Sequence, residues 1–123
     1  MSEQPQPRHP RGRRLLPVWT QSDQKQQEAL SRWGQLQQQL AQEQEQRRQL
    51  LEYADDYRQQ ITRPGPQAIR SAAIHNTLGF LSQVEQAIAG QLEQIRLLEN
   101  RVEQARLQYL ACRSKTEGLQ RLM

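Results

Sequence analysis

One cysteine, Cys112, and two histidines, His9 and His75, are the only thiol and imidazole groups in the 123 residues. An internal disulfide is therefore excluded, as is a metal cluster at any recognisable ligand spacing. A lone cysteine also fits a reducing, cytoplasmic setting more simply than an oxidising one. Aromatic residues are 5% of the chain and hydrophobic ones 35%, with a mean hydropathy of −0.98. So little apolar material cannot build a thick globular core, which leaves either a disordered chain or thin, extended helices. No apolar run is long enough to span a membrane. The stretch RHPRGRRLL opens like a secretory signal, but its apolar continuation LLPVW is short and is broken by Pro17. The segment RPGP at 63–66 lacks the Gly-Lys-Ser/Thr ending of a phosphate cradle. Asp55 and Asp56 are adjacent, about 100° apart on a helix, so they cannot flank one substrate and belong to a solvated face. No catalytic constellation remains, and the chain is expected to be non-enzymatic, with no cofactor and no metal.

Charge is present but unevenly placed. Arg8, Arg11, Arg13 and Arg14 face only Glu3 in the first fourteen residues, leaving 13 basic against 12 acidic residues in the rest. The body is thus close to neutral, and no basic face runs along it. Four arginines without interleaved aromatics would give only weak, salt-sensitive binding to nucleic acid, so a nucleic-acid tether is a minor alternative.

Proline and glycine act as punctuation. The six prolines fall between Pro5 and Pro17 and at Pro64 and Pro66. Residues 1–17 therefore read as a flexible Pro/Arg-rich arm, followed by an all-α, antiparallel two-helix coiled-coil hairpin over 18–123. Its first helix is expected at about 18–62, its turn at about 63–75 and its second helix at about 76–122. In the second helix Ile74, Leu81, Ile88, Ile95, Val102, Tyr109, Thr116 and Met123 recur at heptad spacing. A companion column holds Val84, Gln91, Leu98, Ala105, Cys112 and Leu119. These are columns a and d, and Cys112 becomes a core thiol rather than a reactive one. The first helix repeats the pattern more weakly, with Trp19, Gln26, Trp33, Leu40, Arg47, Ala54 and Ile61 at a, and Ser22, Ala29, Leu36, Glu43, Leu50 and Tyr57 at d.

One antiparallel register pairs like with like and large with small. It sets Leu50 against Ile88, Leu36 against Val102, Trp33 against Ala105, Ala29 against Tyr109 and Ser22 against Thr116. Arg47 meets Gln91. Glu43 opposite Ile95 is the misfit, with Arg47 one turn on as its expected counter-charge.

In this frame Tyr57 is a seam residue at d, whereas Tyr53 lies at g, as do Phe80 and Ala87. The g positions of both helices border the same side of an antiparallel seam, so Tyr53 and Phe80 share one edge. Two readings of that edge are open: aromatics that shield a thin core, or a stripe that binds a partner.

The stretches QRRQLLEYADDYR, NTLGFLSQVEQAI and LENRVEQARLQYLACRSKTEGLQRL, together with Gly34, resemble the FliJ family of flagellar protein export over roughly residues 15–123. The resemblance implies a coiled-coil hairpin similar to the central stalk of rotary ATPases. It implies a non-enzymatic coupling role in bacterial flagellum biogenesis, cytoplasmic and peripheral to the inner membrane. The implied partners are the hexameric export ATPase, the cytoplasmic domain of the membrane export gate, and export chaperones. The family's gate-contacting stripe falls here on Gln46, Leu50, Tyr53 and Tyr57, and on Phe80, Val84, Ala87 and Gln91. Alternatives are the equivalent stalk of a virulence-type secretion system and a generic coiled-coil module in which two chains pair.

A hairpin and a dimer differ in what a crosslink joins. In a Cys112→Ser background, cysteines at Leu50 and Ile88 are expected to form a disulfide within one chain, read as a monomer on a non-reducing gel. A product of twice the mass alone would establish the dimer.

Overall fold

The computed structural model describes residues 3–8, 10–62 and 67–123. Two helices account for nearly all of them: α1, Pro10–Thr62, and α2, Gln67–Leu122. No strand occurs among the described residues. The helices pack together as an all-α hairpin, and their contacts divide into two compact units. One unit is formed by Met1–Gln38 with Glu99–Met123, the other by Gln39–Leu98.

In the first unit the seam is built from columns a and d. Trp19, Ser22, Ala29, Leu36, Ala105, Thr116 and Met123 are buried. The register is fixed by a buried hydroxyl pair, Ser22 Oγ to Thr116 Oγ1 at 2.8 Å. Thr116 also donates to the Cys112 carbonyl at 3.0 Å. A hydroxyl has one proton to give, so Ser22 is the donor across the seam. The expected pairing of Trp33 with Ala105 and of Tyr109 with Ala29 has a further consequence. Each alanine leaves room for the ring opposite, and the two rings stack at 5.7 Å between centroids. Trp19 and Trp33 both bury Nε1 without a partner among the described residues. These indoles thus contribute apolar area rather than hydrogen bonds.

In the second unit Ala54, Leu81, Gln91, Ile95 and Leu98 are buried, Ala54 with no exposed surface at all. Leu40, Leu50, Val84 and Ile88 are half-buried around them. The seam's polar layer is arranged differently from the expectation. Arg47 does not serve mainly as counter-charge to Glu43: its Nη1 donates across the seam to the Ile88 carbonyl at 3.2 Å. That bond uses the second lone pair of a helical carbonyl and lets a guanidinium sit half-buried.

The helix boundaries differ from those expected. α1 starts at Pro10 rather than at about Val18, and Pro17 lies inside it. Pro10 costs nothing at a first helical position, where an N–H would have no intrahelical acceptor. Pro17 does deprive the Arg13 carbonyl of its donor, and the helix persists because the next residues are anchored, Trp19 above all at 3% exposure. α2 starts at Gln67, so residues 67–75 of the expected turn are helical, while 63–66 lie outside the described residues. Ala68, Ala72 and Ala73 are strong helix formers directly after Pro66 in the sequence, which explains the early start.

Nor is the arm idle. The Arg8 amide donates to the Met123 carbonyl at 2.8 Å. Gly12 is buried so closely that a Cβ there would lie 2.9 Å from the Met123 carbonyl oxygen and 2.9 Å from Pro7 Cβ. Only glycine fits between the Met123 backbone and the Pro7 ring without displacement.

Gly90, by contrast, has open space where a Cβ would go. Gly90→Ala is expected to raise stability by about 1 kcal/mol through helix propensity. Gly12→Ala is expected to lower it, as measured by urea denaturation. An equal gain at both sites would show that the arm does not close on the end of α2.

Candidate partner-docking site

The stripe singled out in the sequence lies wholly within the unit Gln39–Leu98. α1 supplies Gln46, Leu50, Tyr53 and Tyr57 at alternating g and d positions, and α2 supplies Phe80, Val84, Ala87 and Gln91. Burial follows the heptad position. Gln46, Tyr53, Phe80 and Ala87, all at g, are exposed, while Leu50, Tyr57 and Val84, at d, are half-buried. Gln91 is only 8% exposed, and its Oε1 has no partner among the described residues. It belongs to the seam beneath the stripe rather than to its surface.

Tyr53 and Phe80 are each 56% exposed. Such exposure is costly for rings in a chain with so few aromatics, since each leaves apolar area in water. The rings of Phe80 and Tyr57 stack at 6.1 Å between centroids with 11° between planes. Phe80 is therefore supported from one side and free on the other. This contact was readable in principle, because a d residue and the g residue of the facing helix border the same edge. Beside Phe80 is a shallow hollow of about 240 Å³ lined by His75, Asn76, Gly79, Phe80 and Gln83. No Cβ obstructs it at Gly79.

The opposite edge is of another character. Arg58 at e bonds Glu85 at e of the facing helix at 3.1 Å, and Leu92 is half-buried there. Farther round α1, Arg48 bridges Glu45 and Glu52. Its hydrogen bond holds the Glu45 carboxyl below the ordinary range. These exposed pairs contribute little to stability, and the same edge also exposes Leu30, Leu51 and Leu78.

Among the described residues no group of three or more His, Cys, Asp or Glu could hold a metal ion. No helix there is long and apolar enough to cross a membrane. The stripe can offer apolar and aromatic contact to a macromolecule.

A family model described as "Flagellar FliJ protein" matches residues 11–123. No curated protein and no solved structure matches the chain.

The geometry separates residues that hold the fold from residues that face outward. Leu50→Ala is expected to cost about 2 kcal/mol by urea denaturation, and Phe80→Ala about 0.5–1 kcal/mol through the lost stack on Tyr57. Tyr53→Ala is expected to change stability by less than about 0.5 kcal/mol. A large loss at Tyr53 would mean that its ring is part of the core.

Proposed function

The chain belongs to the flagellar FliJ family, and from that premise we propose that it is a non-enzymatic stalk of the flagellar protein export apparatus. In this reading it links the export ATPase hexamer to the cytoplasmic domain of the membrane export gate and to export chaperones. It works in the cytoplasm, peripheral to the inner membrane. The gate contact is assigned to Gln46, Leu50, Tyr53, Tyr57, Phe80, Val84, Ala87 and Gln91. Within that set Tyr53 and Phe80 make the contact, Tyr57 props Phe80, and Gln91 supports from below. The observation that carries this assignment is the exposure of Tyr53 and Phe80 at 56% each, on one edge of the seam. Aromatic anchors of this kind often hold about 2 kcal/mol or more of an interface.

The test separates binding from folding. The double substitution Tyr53→Ala and Phe80→Ala is expected to leave helical content intact, weaken binding to the gate's cytoplasmic domain by about thirtyfold or more, and reduce swimming. Substituting Gln44 and Glu99 with alanine, both at e, is the control, expected to leave all three unchanged. A folded double variant that binds the gate and swims normally would assign the aromatics to shielding the seam.

A further inference from the structure

The two units share the charge of the chain unequally. Met1–Gln38 with Glu99–Met123 holds eleven basic against six acidic residues, whereas Gln39–Leu98 holds six against seven. The stripe assigned to the gate lies wholly in the near-neutral unit, so the stalk reading leaves the cationic unit to the export ATPase. Within that unit the arm and the end of α2 border a hollow of about 560 Å³, lined by Pro5, Gln6 and Arg8 on one side and by Glu117, Gln120 and Arg121 on the other. Two contacts hold the arm there: the Arg8 amide on the Met123 carbonyl at 2.8 Å, and Gly12 packed against Met123 and Pro7. Neither depends on which side chain residue 8 carries. Arg8 and Arg121 are nevertheless both exposed at the hollow, and neither has an ion pair among the described residues. Glu117 is matched by Arg113 at 3.0 Å, so the hollow keeps two uncompensated cations.

We infer that this hollow seats an acidic peptide segment of the export ATPase, an assignment that rests on the stalk reading above. Its volume is far more than one inorganic ion fills and lies within the range of ligand sites. Charge alone would suit a phosphate as well as a carboxylate, but the rest of the lining discriminates. Glu117 and the last carbonyls of α2 are acceptors. They repel an acceptor-only phosphodiester and favour the backbone N–H groups that a peptide brings beside its carboxylates. The Gln6 and Gln120 amides both donate and accept, as that mixed occupant requires. The two guanidinium groups supply the planar forks that carboxylates match. Pro5 and Pro7 are half-buried and their rings fix φ, so the arm presents Arg8 with little ordering left to do on binding.

The test uses the full chain, the purified ATPase hexamer and a hexaglutamate peptide as the direct probe. The parent is expected to bind both, and hexaglutamate is expected to compete with the ATPase. Arg8→Gln with Arg121→Gln should weaken both interactions by about tenfold or more. Arg48→Gln with Arg96→Gln, which removes the same charge from the other unit, should leave both within about twofold. Gly12→Ala keeps every charge but displaces the arm from Met123, and it should weaken both by about threefold or more at a temperature where helical content is unchanged. The proposal is overturned if the Arg8 and Arg121 variant binds as the parent does, or if the two double variants lose binding equally. Unchanged binding by Gly12→Ala would overturn it too, by showing a loose charged tail in place of a built seat. So would duplex DNA that binds through Arg8 and Arg121 more tightly than hexaglutamate. A parent that binds hexaglutamate through these arginines yet ignores the ATPase would instead sink the stalk reading and leave the acidic-peptide seat standing.

Discussion

Everything in this fold depends on a seam that has only one layer on each side. Within each unit a helix has a single neighbour, so an apolar side chain at a or d finds cover across the seam or not at all. All the described side chains in those two columns from Trp19 to Ile61 and from Ile74 to Met123 are buried or half-buried, while every described g residue is exposed. A seam so thin tolerates no mismatch of size, because no second shell of residues can fill a gap. The stacked Trp33 and Tyr109 illustrate this. Each ring takes the space vacated by the alanine facing it, so four residues fill two layers that neither pair could fill alone.

The same thinness decides how polar groups enter. Ser22 and Thr116 meet as a matched pair, with the proton direction set by Thr116 bonding its own helix. Arg47 reaches a carbonyl on the facing helix, and Gln91 leaves an acceptor unmet among the described residues. A hydroxyl pair works only in one register, since sliding either helix by one heptad would bury each hydroxyl against an apolar side chain. The polar layer thus contributes specificity where the apolar pairs contribute stability.

These constraints explain what could be read in advance. Pairing rules act between residues at fixed offsets, so the register and the Ser22–Thr116 layer were legible. Backbone punctuation was not. Pro10 and Pro17 are the same residue type in one short segment, yet the first suits a helix start and the second is carried inside the helix by the anchoring of Trp19. A proline's effect depends on tertiary burial that its own neighbours do not encode. The closure of Gly12 on Met123 was invisible for a related reason. It joins the two ends of the chain through backbone atoms, which leave no side-chain pattern. In the candidate site the heptad separated exposed g residues from covered d residues, Gln91 among them, while the stacking of Phe80 on Tyr57 was readable only in principle.

A seam confined to two columns has a last consequence, which is that the flanking positions are nearly free of folding duties. The e edge uses that freedom partly to match charges, as Arg58 and Glu85 do across the seam, and partly exposes leucines, Leu30, Leu51 and Leu78. The g edge carries exposed aromatics in one unit and, in the other, cations with no ion pair among the described residues. The exposed rings cost stability relative to what the position could hold, since each leaves apolar area in water. The residues at both flanking positions are thus set by little that the seam requires. Because the seam does not depend on them, substitutions at g can alter binding while leaving the fold in place, and the two properties can be measured apart.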